Sequence, residues 1–309
     1  MNFEEFKLYV SEAVTSALGD DYEYTHTQVI KNNGIRLTGL SVHRTGNTIS
    51  PTFYLEGFYE SYKKGESLKS IIDTLAEGYS RYEIEEAPDL DFITDYEEVS
   101  KRIMIKLVNY EKNKDFLCEA PYVKIMDLAA VFYVEIKHKM MGEGAIMIRN
   151  SCFEKWGTDI DTVYKDAFNN TRNILGCEIS NITEVLKNII LSKGGDDSEV
   201  DELLSRLSTP EDIPMYILSN KTGHFGASCM LYEDMLKSFA DKMENDLYIL
   251  PSSMHELIII PDSGKEEPDN LRMMVKQVNS EQLEPGEVLS DNVYYFERKQ
   301  GKVRLACTA

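Results

Sequence analysis

The chain has 309 residues, 42% of them hydrophobic and 28% charged, so it carries enough apolar side chains to bury a core and is not a disordered chain. Asp and Glu number 53 against 33 Lys and Arg, a formal charge of −20, which argues against a protein that grips a phosphate backbone through a basic surface. The longest apolar stretches, Ile258–Ile260 and Leu128–Val134, are strand-sized and fall short of the ~18 apolar residues that a membrane helix needs.

Phe3, Phe6, Val10, Val14 and Ala17 recur at helical spacing and predict a helix over 2–18, ended by Gly19. Two runs rich in β-branched and aromatic residues, Tyr22–Lys31 and Ile35–Arg44, flank Asn32-Asn33-Gly34. Asn-Gly supplies the positive φ angles that a tight turn needs, so the two runs are read as a hairpin. Helices are expected over Phe53–Lys63 and from Ser67, the second with Leu68, Ile71, Ile72, Leu75, Tyr79 and Tyr82 on one stripe. The acidic segment 83–98, which contains Pro88 and no basic residue, marks a first boundary.

Beyond it, Ile103–Tyr110 reads as a strand, 111–118 as one or two helical turns, and Val123–His138 and Gly144–Arg149 as further strands split by a flexible Met140-Met141-Gly142-Glu143-Gly144 stretch. A helix is expected from Thr158 to Leu175, with Thr158 and Asp161 spaced as a capping box and Trp156 packed as a lid over its start. Another helix spans roughly 180–193 and breaks at Gly194-Gly195. In the last third, strands are expected over Met215–Ser219 and Phe225–Met230, a helix over 232–243, and strands over Leu247–Leu250 and His255–Pro261. A helix with Pro268 in its first turn and a hairpin of Val293–Arg298 and Lys302–Ala306 complete the chain. Strands and helices mix without βαβ alternation, which predicts an α+β fold with mixed or antiparallel sheets and packed helices. Three regions follow: a helix-hairpin-helix unit over 1–90, a mixed region over 91–209, and a ββαββαββ unit over 210–309.

Signatures of catalysis and cofactor binding are sparse. Gly142-Glu143-Gly144 lacks the third glycine and the Lys-Ser/Thr of a phosphate loop. The five histidines, His26, His43, His138, His224 and His255, form no zinc-ligand spacing with one another or with cysteine, so no metal and no cofactor is expected. One segment carries a possible nucleophile and base, Pro251-Ser252-Ser253-Met254-His255-Glu256. If the strand at His255 extends backward, Ser253 and His255 project from one face, and the imidazole could take a proton from the serine hydroxyl. The competing reading makes His255 a core-edge histidine beside Leu257 and Ile259, with serines that suit an ordinary turn after Pro251. No Gly-x-Ser-x-Gly elbow accompanies them, and Glu256 alternates to the opposite face. Cys229 with His224 is the other candidate pair, although a cysteine within a strand behaves as a small hydrophobe.

The acids cluster at 83–98 and again at Asp196, Asp197, Glu199, Asp201 and Glu202. Each cluster reads as a solvated segment or as a nucleic-acid-like surface that meets a basic partner. Five dispersed cysteines without CxxC spacing predict reduced thiols, and no basic segment with an apolar core opens the chain, so a cytoplasmic protein is expected.

Several segments recur together: Trp156-Gly157-Thr158 before Ala167–Thr171, Tyr216–Asn220 before Gly226–Tyr232, Asp246–Glu256, and Val288–Tyr294. In that order they resemble a domain-of-unknown-function family of anaerobic Gram-positive bacteria, over most of the chain. The resemblance implies a cytoplasmic bacterial protein in mobile-element surroundings and carries no activity, substrate or catalytic residue. The functional expectation is therefore a non-enzymatic cytoplasmic binding or adaptor protein, with an unidentified protein or small-molecule partner and neither nucleic acid nor membrane. Its rivals are a hydrolase using Ser253 and His255, and an acidic decoy for a basic nucleic-acid-binding protein.

Overall fold

The computed structural model describes residues 1–45, 50–82, 91–138, 142–192, 196 and 214–307. Met140-Met141, Gly194-Gly195, the first part of the acidic segment (83–90) and the second acidic cluster apart from Asp196 lie outside them. The chain forms two compact units, Met1–Leu90 and Asp91–Ala309. Among the described residues no helix is long and apolar enough to cross a membrane.

The first unit begins with helix α1 (Phe3–Leu18), opened by a reciprocal cap. The Asn2 side chain accepts the Glu5 N–H at 2.9 Å, and the Glu5 carboxylate accepts the Asn2 N–H at 3.0 Å. Its stripe of Phe6, Val10 and Val14 is fully buried. Strands β1 (Tyr22–Ile30) and β2 (Arg36–Arg44) pair antiparallel from Tyr22 opposite Arg44 to Ile30 opposite Arg36. Asn33 (φ 60°) and Gly34 (φ 73°) supply the left-handed residues of the expected turn, inside a loop closed by the Lys31 N–H on the Ile35 carbonyl. Strand β3 (Thr52–Tyr54) adds to β2, so the helix expected from Phe53 begins two residues later, as α2 (Leu55–Lys63). Helix α3 (Leu68–Tyr82) buries Ile71, Leu75 and Tyr79 against Leu40, Val42 and the α1 stripe.

In the second unit the far half of the acidic segment is folded, with Asp91, Asp95, Glu97 and Glu98 exposed to solvent. A 3-10 turn (Asp91–Thr94) and helix α4 (Tyr96–Val99) bury Ile93 and Val99. Strand β4 (Ile103–Asn109), the short helix α5 (Lys114–Leu117), β5 (Tyr122–Ile125), β6 (Leu128–His138) and β7 (Gly142–Met147) follow. β6 is the centre of this antiparallel sheet, with β4 on one edge and β5 and β7 on the other. Helix α6 (Asn150–Trp156) was not expected from the sequence. Trp156 packs on the acidic segment, its Nε1–H donating to the Ile93 carbonyl at 2.9 Å, and shares a core with Ile160 and Val163 of the next helix. Helix α7 (Ile160–Leu175) is capped by Asp159, whose carboxylate accepts the Thr162 N–H at 2.8 Å, so Thr158 and Asp161 do not form the expected box. α7 covers the open edge of β4: Thr171 Oγ accepts the Ile105 N–H at 2.8 Å, and Asn170 donates to the Ser100 and Ile103 carbonyls.

The third sheet runs in the order β13-β12-β10-β11-β9-β8, all antiparallel. It takes β8 (Glu178–Asn181), ahead of helix α8 (Ile182–Ser192), together with β9 (Tyr216–Ser219), within the single unit Asp91–Ala309. The expected strand over Phe225–Met230 is instead a 3-10 turn (Gly226–Leu231), leading into helix α9 (Glu233–Met243). The C-terminal order is therefore βαββαββ with a 3-10 insert, not ββαββαββ. Central strands β10 (Leu247–Pro251) and β11 (Leu257–Pro261) are buried on both faces, as the unbroken apolar runs predict. Leu247, Ile249, Leu257 and Ile259 join Ile105, Leu107 and Phe132 of the middle sheet in one core. On the opposite face helix α10 (Pro268–Glu281) lays Leu271 and Val275 over Tyr248, Leu250 and Ile260. Strands β12 (Tyr294–Glu297) and β13 (Lys302–Leu305) close the edge. The architecture is α+β with antiparallel sheets.

Candidate functional site

β10 and β11 are joined by the five residues 252–256, and this turn holds both residues singled out from the sequence. Ser253 N–H donates to the Glu256 carbonyl at 3.1 Å, and Ser253 Oγ accepts the His255 N–H at 3.0 Å. Those bonds offer the backbone an alternative to the ladder, so β11 starts at Leu257 and not at His255. The alternation that put Ser253 and His255 on one strand face is therefore absent. The imidazole instead grips the neighbouring loop: His255 Nδ1 accepts the Phe225 N–H at 3.2 Å. This assigns the ring proton to Nε2. Burial, followed by the nearby His224, holds this histidine below its ordinary range, against the opposing influence of Glu287 and the Gly223 carbonyl.

The loop it grips is unusually constrained. Phe225 sits at φ 57°, a left-handed conformation that costs a bulky residue roughly 1–2 kcal/mol. Its ring lies under the Lys106 ammonium at 4.3 Å, stacks on the His255 ring at 5.7 Å and meets Tyr133 edge-on at 5.1 Å. A Cβ on Gly226 would fall 2.1 Å from Ser219 Oγ and 2.5 Å from the His255 carbonyl oxygen, so only glycine allows the two loops to meet. Cys229 is buried in the 3-10 turn with its Sγ on the Gly176 carbonyl at 3.7 Å, while the exposed His224 stacks on Phe225. Among the described residues no group of three or more His, Cys, Asp or Glu is placed to hold a metal.

The most fully built polar site is one that the sequence reading did not find. Met126, at φ 54°, turns the chain between β5 and β6 and presents Asp127. The Asp127 carboxylate accepts three protein donors: Ser290 Oγ at 2.6 Å, Asn292 Nδ2 at 2.9 Å and the Tyr294 hydroxyl at 2.9 Å. Asp291 and Asn292 lie in a bend closed by the Asn292 N–H on Ser290 Oγ at 2.9 Å, which gathers the three donors ahead of β12. The polar residues Ser290, Asn292 and Tyr294 of this segment were visible in the sequence, but their common acceptor, Asp127, is remote in the chain. The segment is clamped from both sides. Asn109 Nδ2 donates to the Leu289 carbonyl at 3.1 Å, and Asn279 Nδ2 to the Ser290 carbonyl at 2.9 Å and to Asp291 Oδ1 at 2.8 Å. Tyr294 is fully buried, and burial together with Asp127 raises its hydroxyl well above the ordinary phenol range. It therefore stays a donor.

Beside this network lies a pocket of about 290 Å³ between α10, the Asp127 turn, the 109–112 loop and residues 290–292. Three acids line it, Glu111, Asp127 and Asp291, and three cations, Lys112, Arg272 and Lys276. Arg272 Nε is buried and has no hydrogen-bond partner. An unsatisfied buried donor costs about 1–3 kcal/mol, so such a group marks a place where the fold alone is incomplete.

DUF5688, a family of unknown function, matches residues 3–298. No curated protein and no solved structure matches the chain.

Proposed function

The chain belongs to the DUF5688 family, whose function is unknown, and from the site geometry we propose that it is a non-enzymatic binding protein that takes a small ligand in the pocket beside Asp127. A cytoplasmic, bacterial setting goes with this reading. The observation that carries it is the contrast between a polar network satisfied throughout at Asp127 and two cations lining the same pocket, Arg272 and Lys276, that pair with no carboxylate among the described residues. Rigid, satisfied polar groups around a preformed concavity are what ligand recognition requires.

The hydrolase reading has less support. A general base needs a free ring nitrogen within reach of the nucleophile, whereas the unprotonated nitrogen of His255, Nδ1, holds the Phe225 amide. Ser253 Oγ is spent on a backbone N–H. The decoy reading rests on acids of which residues 91–98 are folded into the second unit.

The test is amide chemical-shift mapping of the full chain against a library of small polar fragments. Binders that shift Lys112, Arg272 and Asn292 are expected. A library that leaves those residues unmoved, or hydrolytic turnover abolished by Ser253→Ala, overturns the proposal.

A further inference from the structure

We propose that the ligand of this pocket carries an oxyanion, a carboxylate or a phosphate, seated on Arg272 and Lys276. The inference rests on the reading of the pocket as the ligand site and adds the chemistry of its occupant.

The acids and the cations of the lining are in different states. Every acid is engaged: Asp127 by Ser290, Asn292 and Tyr294, Asp291 by Asn279 and by Lys112 at 3.8 Å, and Glu111 by Lys114. Arg272 and Lys276 are not. They stand four residues apart on α10, hence on one face, and both line the pocket. Neither forms an ion pair with a carboxylate among the described residues, although other exposed lysines of this chain take a partner three or four residues away, as in Lys101–Glu98 and Lys237–Asp241. Two like charges at that spacing repel along a helix. This repulsion is relieved by one group, an anion with more than one acceptor oxygen, held between the guanidinium and the ammonium that line the pocket. A guanidinium fork matches carboxylate and phosphate geometry alike, with the neighbouring ammonium adding a point charge. A pocket of about 290 Å³ restricts the occupant to a small molecule.

The experiment follows the Arg272 side-chain Nε–H resonance in the full chain, titrated separately with inorganic phosphate and with acetate, against chloride at matched ionic strength. A saturable shift with either anion supports the proposal, and the anion that saturates first identifies the preferred group. Lys276→Gln should weaken the midpoint about ten-fold, the loss of one charge-assisted contact. Arg272→Gln should abolish saturable shifts at Asn292. Lys276 is exposed and its variant should unfold at the wild-type temperature, while Arg272→Gln removes a buried donor without a partner and should unfold no lower than the wild type. If neither anion exceeds chloride while a neutral or cationic fragment shifts the same residues, the oxyanion is wrong and the pocket stands. If nothing moves them, both readings fall. A shift equally weakened by Arg81→Gln, an exposed cation of the other unit, is general screening and overturns the assignment.

Discussion

Ser290 donates its hydroxyl to the Asp127 carboxylate at 2.6 Å, joining positions 163 residues apart in sequence. The bond ties the turn before the central strand of the middle sheet to the entry of β12 in the C-terminal sheet, so the two sheets share a polar anchor as well as an apolar core.

Asp127→Ala should destabilise the second unit by about 3 kcal/mol, because it leaves Ser290, Asn292 and Tyr294 as donors without their acceptor. Tyr294→Phe, which removes one donor and keeps the ring, should cost about 1 kcal/mol. Urea unfolding of both single variants and the double variant measures the coupling. Additive losses would mean that the hydroxyl and the carboxylate act independently.

Gly226→Ala places a methyl group against Ser219 Oγ, the His255 carbonyl and, at 2.8 Å, the Asn220 amide nitrogen. Two of these are backbone atoms with little freedom to retreat, so a loss of about 2–3 kcal/mol is expected. Gly223→Ala is the control: its φ of 67° is left-handed, but a Cβ there meets open space, and it should cost about 1 kcal/mol. Equal losses in the two variants, read by thermal unfolding, would refute the close-approach argument.

Ser253→Ala should lower stability by about 1 kcal/mol through the lost acceptor of the His255 N–H, and should change no chemistry. Labelling of the wild-type protein at Ser253 by a fluorophosphonate would show an activated serine and contradict this.

Burial keeps the His255 imidazole below its ordinary value of 6.5, with His224 and Lys106 acting in the same direction and Glu287 against it. The folded state then binds the proton less readily than the unfolded chain. This contribution to stability is complete above about pH 6.5 and is lost as pH falls through the lowered folded value. His255→Gln, which retains an acceptor for the Phe225 N–H, should reduce the difference between urea midpoints at pH 7.5 and pH 5.5. His26 is shifted the same way, by burial and then by Lys7, but belongs to the first unit, so its effect should persist in the variant.

Much of the fold was legible because it follows from local periodicity. The α1 stripe, the Asn33-Gly34 hairpin, the α3 stripe and the doubly apolar Leu257–Pro261 run each express a backbone preference and one buried face within a few residues. The errors fall where a side chain competes with the backbone or where a distant contact decides. Phe225–Met230 has strand-like composition, yet the close approach at Gly226 and the His255 grip on the Phe225 amide wind it into a 3-10 turn. Ser253 capped its own turn and shortened β11. Ile93 and Val99 sit in an acid-rich segment whose charge concealed two core residues.

What the sequence by itself determined, then, was the α+β class, the apolar stripes and the absence of familiar catalytic spacing, all of which depend on residues near one another in the chain. The candidate site was decided by tertiary structure alone. Asp127, Arg272 and Ser290 come from three separate segments, and their charges and hydrogen bonds acquire meaning only within a few ångströms of each other. Electrostatic and hydrogen-bonding energies fall off steeply with distance and are blind to order along the chain, so a site assembled from remote segments leaves no local spacing to read.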